Sequence, residues 1–259
     1  MVGRRKVLGW AALIIPLAAS MGQGALSDVT VSLGTLQNSD AFVQFVDVYS
    51  QAYGYTQNGL GGSSEDFHDG ASIPYIASAN ANGLSPQARA TAQTNFKYVT
   101  SHTYADTSGG TSSRAWAWAS QDWLLNVTTP EDGTFTAPYT IAWDLESGAG
   151  ETATGDAYWG LFLYDTTVNS SGELVANDLV ASSWLPFSLV VSNGDSSLFS
   201  YPDAMTLKYE FSSAGAYDLK LMVDPESTAA PLPGAVLLGS LGLGVSGWLL
   251  RRRERSVPA

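Results

Sequence analysis

Apolar and polar positions alternate one by one over much of the second half of the chain, which is the period of a strand with one face buried. Tyr217, Leu219, Leu221 and Val223 alternate with Asp218, Lys220 and Met222 after Gly215, and Met205, Leu207, Tyr209 and Phe211 show the same spacing. Ser212-Ser213-Ala214-Gly215 between them reads as a short turn. Residues 205–223 are therefore predicted to form a β-hairpin with Lys208 and Lys220 on its outer faces. Further strands are predicted at 123–127, 139–145, 158–164, 174–181 and 188–192. Turn-forming runs such as Ser147-Gly148-Ala149-Gly150 and Asn193-Gly194-Asp195 separate them. Ala115, Ala117 and Ala119 alternate with Trp116, Trp118 and Ser120, a strand with small residues on one face and large ones on the other. Regularly spaced strands without intervening helices predict an all-β, antiparallel β-sandwich or jelly-roll-like domain.

Upstream the pattern weakens. Residues 54–72 and 77–86 are rich in Gly, Ser and Asn and read as loops. Ser85 and Pro86 have the cap and first-turn chemistry of a short helix over 87–98. On this reading the domain spans 26–226, loop-rich over 26–112 and regular over 113–226.

Two apolar stretches fall outside it. Arg4, Arg5 and Lys6 lead into an apolar run and then small residues, the three-part form of a secretory signal peptide over 1–25. Residues 234–250 hold no charge, about 26 Å of helix against a hydrocarbon core of about 30 Å. Arg251, Arg252, Arg253 and Arg255 follow at once, and the positive-inside rule keeps them in the cytoplasm with the domain outside.

Charge and composition narrow the function classes. The net charge is −12, and between 28 and 226 five basic residues face 23 acidic ones, which excludes a nucleic-acid-binding face. Cysteine is absent, so disulfides, thiolate metal sites and cysteine nucleophiles are excluded.

Ala230-Pro231-Leu232-Pro233-Gly234-Ala235, a Gly/Leu-rich span and an arginine cluster follow one another in that order over residues 227–259. This resembles the PEP-CTERM sorting tail of exosortase substrates, in its Pro-Leu-Pro variant, with Pro231, Leu232, Pro233 and Gly234 as the motif. The resemblance implies a Gram-negative bacterium, processing by a membrane-embedded exosortase, transient residence in the inner membrane, and delivery to the cell surface or an exopolysaccharide matrix. It covers the tail and says nothing of what the domain does.

Chemistry in the middle of the chain is sparse. His68 and His102 are the only histidines, and neither has a partner at metal-ligand or catalytic spacing. No nucleophile elbow or phosphate loop occurs. Acid-rich turns at 144–156 and at Asn193-Gly194-Asp195 could offer oxygens to calcium, without a complete loop signature. Trp116 and Trp118 are the residues placed to stack on a sugar ring, against the alternative that strand aromatics build the core. The expectation is a non-catalytic surface or matrix protein without cofactor. A carbohydrate- or calcium-binding lectin-like module is the second reading, and a hydrolase with paired carboxylates the third.

Overall fold

A computed structural model of the chain describes residues 24–38, 40–58, 63–71, 78–82, 88–95, 97–107, 111–168 and 174–231. Among these residues the chain is all-β, without a helix, and its strand pairings are antiparallel. The strands are β1 (Leu26–Leu33), β2 (Gln37–Asn38), β3 (Val43–Asn58), β4 (Ser63–Ala71), β5 (Ser78–Asn82), β6 (Ala88–Asn95), β7 (Tyr98–Asp106), β8 (Ser113–Val127), β9 (Asp132–Glu146), β10 (Glu151–Val168), β11 (Leu174–Ser192), β12 (Ser196–Glu210) and β13 (Gly215–Pro231). Sheet 1 runs β12-β9-β1-β7-β6-β5 with β2 added to β9, and sheet 2 runs β11-β10-β13-β8-β3-β4.

The two sheets share one core, an arrangement consistent with a β-sandwich. Val29, Val31 and Leu33 of sheet 1 and Leu161, Leu163, Leu219, Leu221 and Val223 of sheet 2 are fully buried. The core changes character along its width. Ala88, Ala90 and Ala92 of β6 and Ala115, Ala117 and Ala119 of β8 supply only small side chains, while Phe135, Phe211, Tyr217 and Trp159 fill another part of it. Ala115, Ala117 and Ala119 are wholly buried, so the period of a strand turns Trp116 and Trp118 outward.

The sheets also approach closely at Gly155 of β10. A Cβ there would stand 2.7 Å from Val29 Cγ2 and 3.2 Å from a Leu145 methyl of the facing sheet. At the corner between β11 and β12, Asn193 (φ 59°) and Gly194 (φ 95°) take the left-handed conformations that a tight turn needs. Ser147 pins this turn, its N–H donating to Asp195 O and its hydroxyl accepting from Gly194 N.

Three expectations are corrected. Residues 205–223 are not a hairpin, because β12 pairs with β9 in sheet 1 while β13 lies between β10 and β8 in sheet 2. The short link through Phe211 crosses the sandwich, and Phe211 is buried against Tyr217 at 4.7 Å between ring centroids. The described residues of the helix expected over 87–98 hold no helix; 88–95 form strand β6. Ala88, Ala90 and Ala92 alternate with Arg89, Thr91 and Gln93 on β6, and burial of the alanines outweighs the local capping signal. The segments read as loops at 54–72 and 77–86 hold the end of β3, β4 and β5, whose backbone pairs despite few apolar side chains.

Other expectations merge. Residues 115–120 and 123–127 belong to the single strand β8, and 174–181 and 188–192 to β11. Lys208 is exposed and Lys220 lies on the outer face of sheet 2, as expected. β13 runs on to Pro231, past the expected domain end at 226, pairing Thr152 with Ala230 and Glu151 with Pro231.

Candidate functional site

The outer face of sheet 2 carries two groups of aromatic residues that the core leaves out. Register places Phe67 of β4 beside Tyr53 of β3, and Tyr53 beside Trp118 of β8. Tyr55 lies beside Trp116 in the next outward row. The Tyr53 and Trp118 rings are nearly parallel, 6.1 Å apart with 24° between planes. Tyr53 also meets Trp116 edge-on at 5.1 Å, and Phe67 meets Trp118 at 6.3 Å. Further along the same face, Tyr158 of β10 stacks on Phe162 at 5.8 Å and lies 5.1 Å from Trp184 of β11. Gly160 makes this second group possible: a Cβ there would stand 2.8 Å from Trp184 Cβ and 2.9 Å from the Phe162 ring.

Between the two aromatic groups β13 presents carboxylates. Trp116 Nε1 donates to Asp224 Oδ1, and Arg114 forks Glu226 through Nε and Nη2 at 2.6 and 2.8 Å. Lys220 Nζ lies 3.2 Å from Asp122 Oδ1. Burial pushes the Asp224 carboxyl up to about 6; the Trp116 hydrogen bond opposes the shift and Glu226 reinforces it. Burial also pushes Asp218 up to about 6, with Asp122 adding to the shift and Lys220 opposing it. Asp122 is raised by its own burial, which outweighs the pull of Lys220. At one end of the face Asp47, Tyr49, Asp122, Thr166 and Asp218 line a cleft of about 310 Å³.

Trp116 and Trp118 thus stand together on one outward face. Trp123 and Trp159 are core residues, which is where the alternative placed strand aromatics. The sequence reading missed Tyr53, Tyr55 and Phe67, because they lie in and beside a segment read as loop. Their signal was present as the alternation of Tyr53 and Tyr55 with Ala52, Gly54 and Thr56.

The remaining residues singled out by sequence lie elsewhere. His68 Nε2 stands 3.2 Å from Asp66 Oδ1 at the β4 edge, and His102 Nε2 stands 2.8 Å from Asp28 Oδ1 on the outer face of sheet 1. Asp144 lines a hollow on the outer face of sheet 1, whereas Asp156 sits on sheet 2, so the acid-rich turn does not bring these two together. Among the described residues no group of three or more His, Cys, Asp or Glu is placed to hold a metal ion. Of the proline motif, Pro231 ends β13; Leu232, Pro233, Gly234 and the cluster Arg251, Arg252, Arg253 and Arg255 lie outside the described residues, as do most of the predicted signal peptide and the span at 234–250. No helix among the described residues is long and apolar enough to cross a membrane.

No protein-family model matches the chain, and no curated protein matches it. Among solved structures, one of the infectious bursal disease virus Gx strain is similar at 10% identity and a TM-score of 0.14, over 81% of this chain and 57% of the viral one. Vicilin from Corylus avellana (hazelnut) is similar at 7% identity and a TM-score of 0.11, over 82% of this chain and 76% of its own. The chain spans little more than half the length of the viral chain, and at these scores neither likeness carries an argument.

Proposed function

We propose that this chain is an exported, exosortase-sorted β-sandwich protein that binds polysaccharide without cleaving it, at the cell surface or in an extracellular matrix. The supporting observation is the outward placement of Tyr53, Trp116, Trp118 and Phe67 on sheet 2 beside hydrogen-bonding carboxylates. Flat ring faces stack on the C–H faces of pyranoses, and carboxylates accept from sugar hydroxyls. Had both tryptophans faced the core, a purely structural role would have been the better reading. The sorting half of the proposal is supported by the order of proline motif, uncharged span and arginine cluster over 230–255.

A glycan array probed with the full-length chain in detergent, with and without calcium, tests the binding half. Retention on a subset of glycans is expected, falling about tenfold or more in Trp118→Ala, the equivalent of about 1.4 kcal/mol of stacking. Retention of no glycan, or retention indifferent to Trp116→Ala and Trp118→Ala, rejects it. Dependence on calcium would move the site to the acid-rich turns.

A further inference from the structure

The polysaccharide face has a charge pattern that narrows its ligand. Across sheet 2 the row runs Phe67, Tyr53 and Trp118, then Asp224 of β13, then Tyr158, whose ring lies 5.1 Å from Trp184 in the next outward row. Aromatic rings therefore flank a carboxylate on both sides. The two cations of this face, among the described residues, are held by other acids: Arg114 by Glu226 and Lys220 by Asp122. Asp224 accepts from the neutral Trp116 indole, and no other hydrogen bond reaches it among the described residues. The charge that acts on it is that of Glu226, of the same sign.

A half-buried carboxylate without a counter-ion, set among aromatic faces, is the combination that favours an ammonium group. The charge attracts it and the ring quadrupoles add to the attraction. A neutral sugar hydroxyl gains less there, and an anionic polysaccharide is repelled by Asp224 and Asp218, since Glu226 and Asp122 are already paired with Arg114 and Lys220. We propose that this face binds a glycan bearing free amino groups, a de-N-acetylated amino-sugar polymer, with Tyr53 and Trp118 against the ring faces and Asp224 receiving the ammonium. The inference rests on the polysaccharide-binding reading and adds the substrate class. Burial already makes the ionised Asp224 costly, and an incoming cation relieves that cost.

The test compares two insoluble polymers with one backbone, poly-N-acetylglucosamine and its de-acetylated form, using the full-length chain in detergent. Retention on the de-acetylated polymer is expected to exceed that on the acetylated one by about tenfold at low salt. Raising the salt to about 0.5 M should erase most of that difference. Asp224→Asn keeps an oxygen for Trp116 and should lower the preference several-fold, about the worth of one charged contact. Trp118→Ala should weaken both polymers, and Asp144→Asn on the opposite sheet should weaken neither.

Equal retention on both polymers overturns the amino-sugar inference and leaves polysaccharide binding standing. So does retention confined to other glycans. A preference untouched by both Asp224→Asn and Trp118→Ala overturns it too, as general attraction of an acidic protein to a cationic polymer. Equal, Trp118-dependent retention on polylysine would replace the glycan with a basic peptide. Retention on no glycan at all would remove the binding reading itself.

Discussion

Asp218 and Asp224, both raised to about 6, couple the stability of sheet 2 to pH. In the unfolded chain such groups titrate near 3.9, so the folded state holds their protons more tightly. Their contribution is therefore complete below about pH 4 and is lost as pH rises through about 6, and Asp122, raised by burial, acts in the same direction. The melting temperature should be higher at pH 5 than at pH 7.5. Asp218→Asn should stabilise by on the order of 1 kcal/mol at pH 7.5, discounted for partial exposure, and do nothing at pH 4. A melting temperature that falls between pH 7.5 and pH 5 contradicts this sign. His68 and His102 make surface pairs with acids, so His68→Ala and His102→Ala should each cost less than about 1 kcal/mol in chemical denaturation and leave glycan retention unchanged. At this scale the alternation of Ala115, Trp116, Ala117 and Trp118 was legible, but not which face was the core. Both residue types are apolar, and the choice is made by the alanines of β6 packing nearby in the shared core, a long-range fact.

Element by element, period-2 patterning located the strands of the second half, while partners were beyond it. β12 and β13 look like a hairpin because each alternates and a turn lies between. Their buried faces line the same core from opposite sheets, β12 over β11 and β13 over β7 and β1, so the chain crosses between sheets at Phe211. Segments rich in Gly, Ser and Asn were read as loops because composition weighs side chains, whereas β4 and β5 are held by backbone pairing at sheet edges. The long edge strands β11 and β12 each carry one proline, Pro186 and Pro202, which removes a donor from the exposed side of a ladder beside Trp184, Leu198 and Phe199. Replacing both prolines with Val should raise self-association, seen as concentration-dependent light scattering; an unchanged monomer signal would show that other features guard these edges. Gly155→Ala should cost about 1–3 kcal/mol, because the added methyl meets Val29 and Leu145 of the facing sheet. A melt indistinguishable from the parent would mean the sheets can separate there at no cost.

For the whole molecule, the reading of the tail makes a prediction about processing. Changing Pro231 and Pro233 to Ala, or Arg251, Arg252 and Arg253 to Glu, should leave uncut or misrouted protein in the inner membrane, because proline keeps the segment extended and the arginines fix its orientation. The measurement is the intact mass of surface-released protein together with a blot of the membrane fraction. Released protein that still ends at Ala259, or normal release of both variants, would make a permanent anchor the better account. One described feature bears on what such a protein withstands once attached. β13 lies inside sheet 2, bonded to β10 on one side and β8 on the other along nearly its whole length, and it ends at Pro231. On the proposed reading, and until the tail is cut, tension between a polymer held on the sheet face and the tail beyond Pro231 runs along the strand axis. It loads two ladders of hydrogen bonds in shear at once, instead of peeling them apart one by one. The strand nearest the tail is thus held by two ladders that must give way together, so drawing it out demands more simultaneous bond breakage than drawing out an edge strand such as β11 or β12.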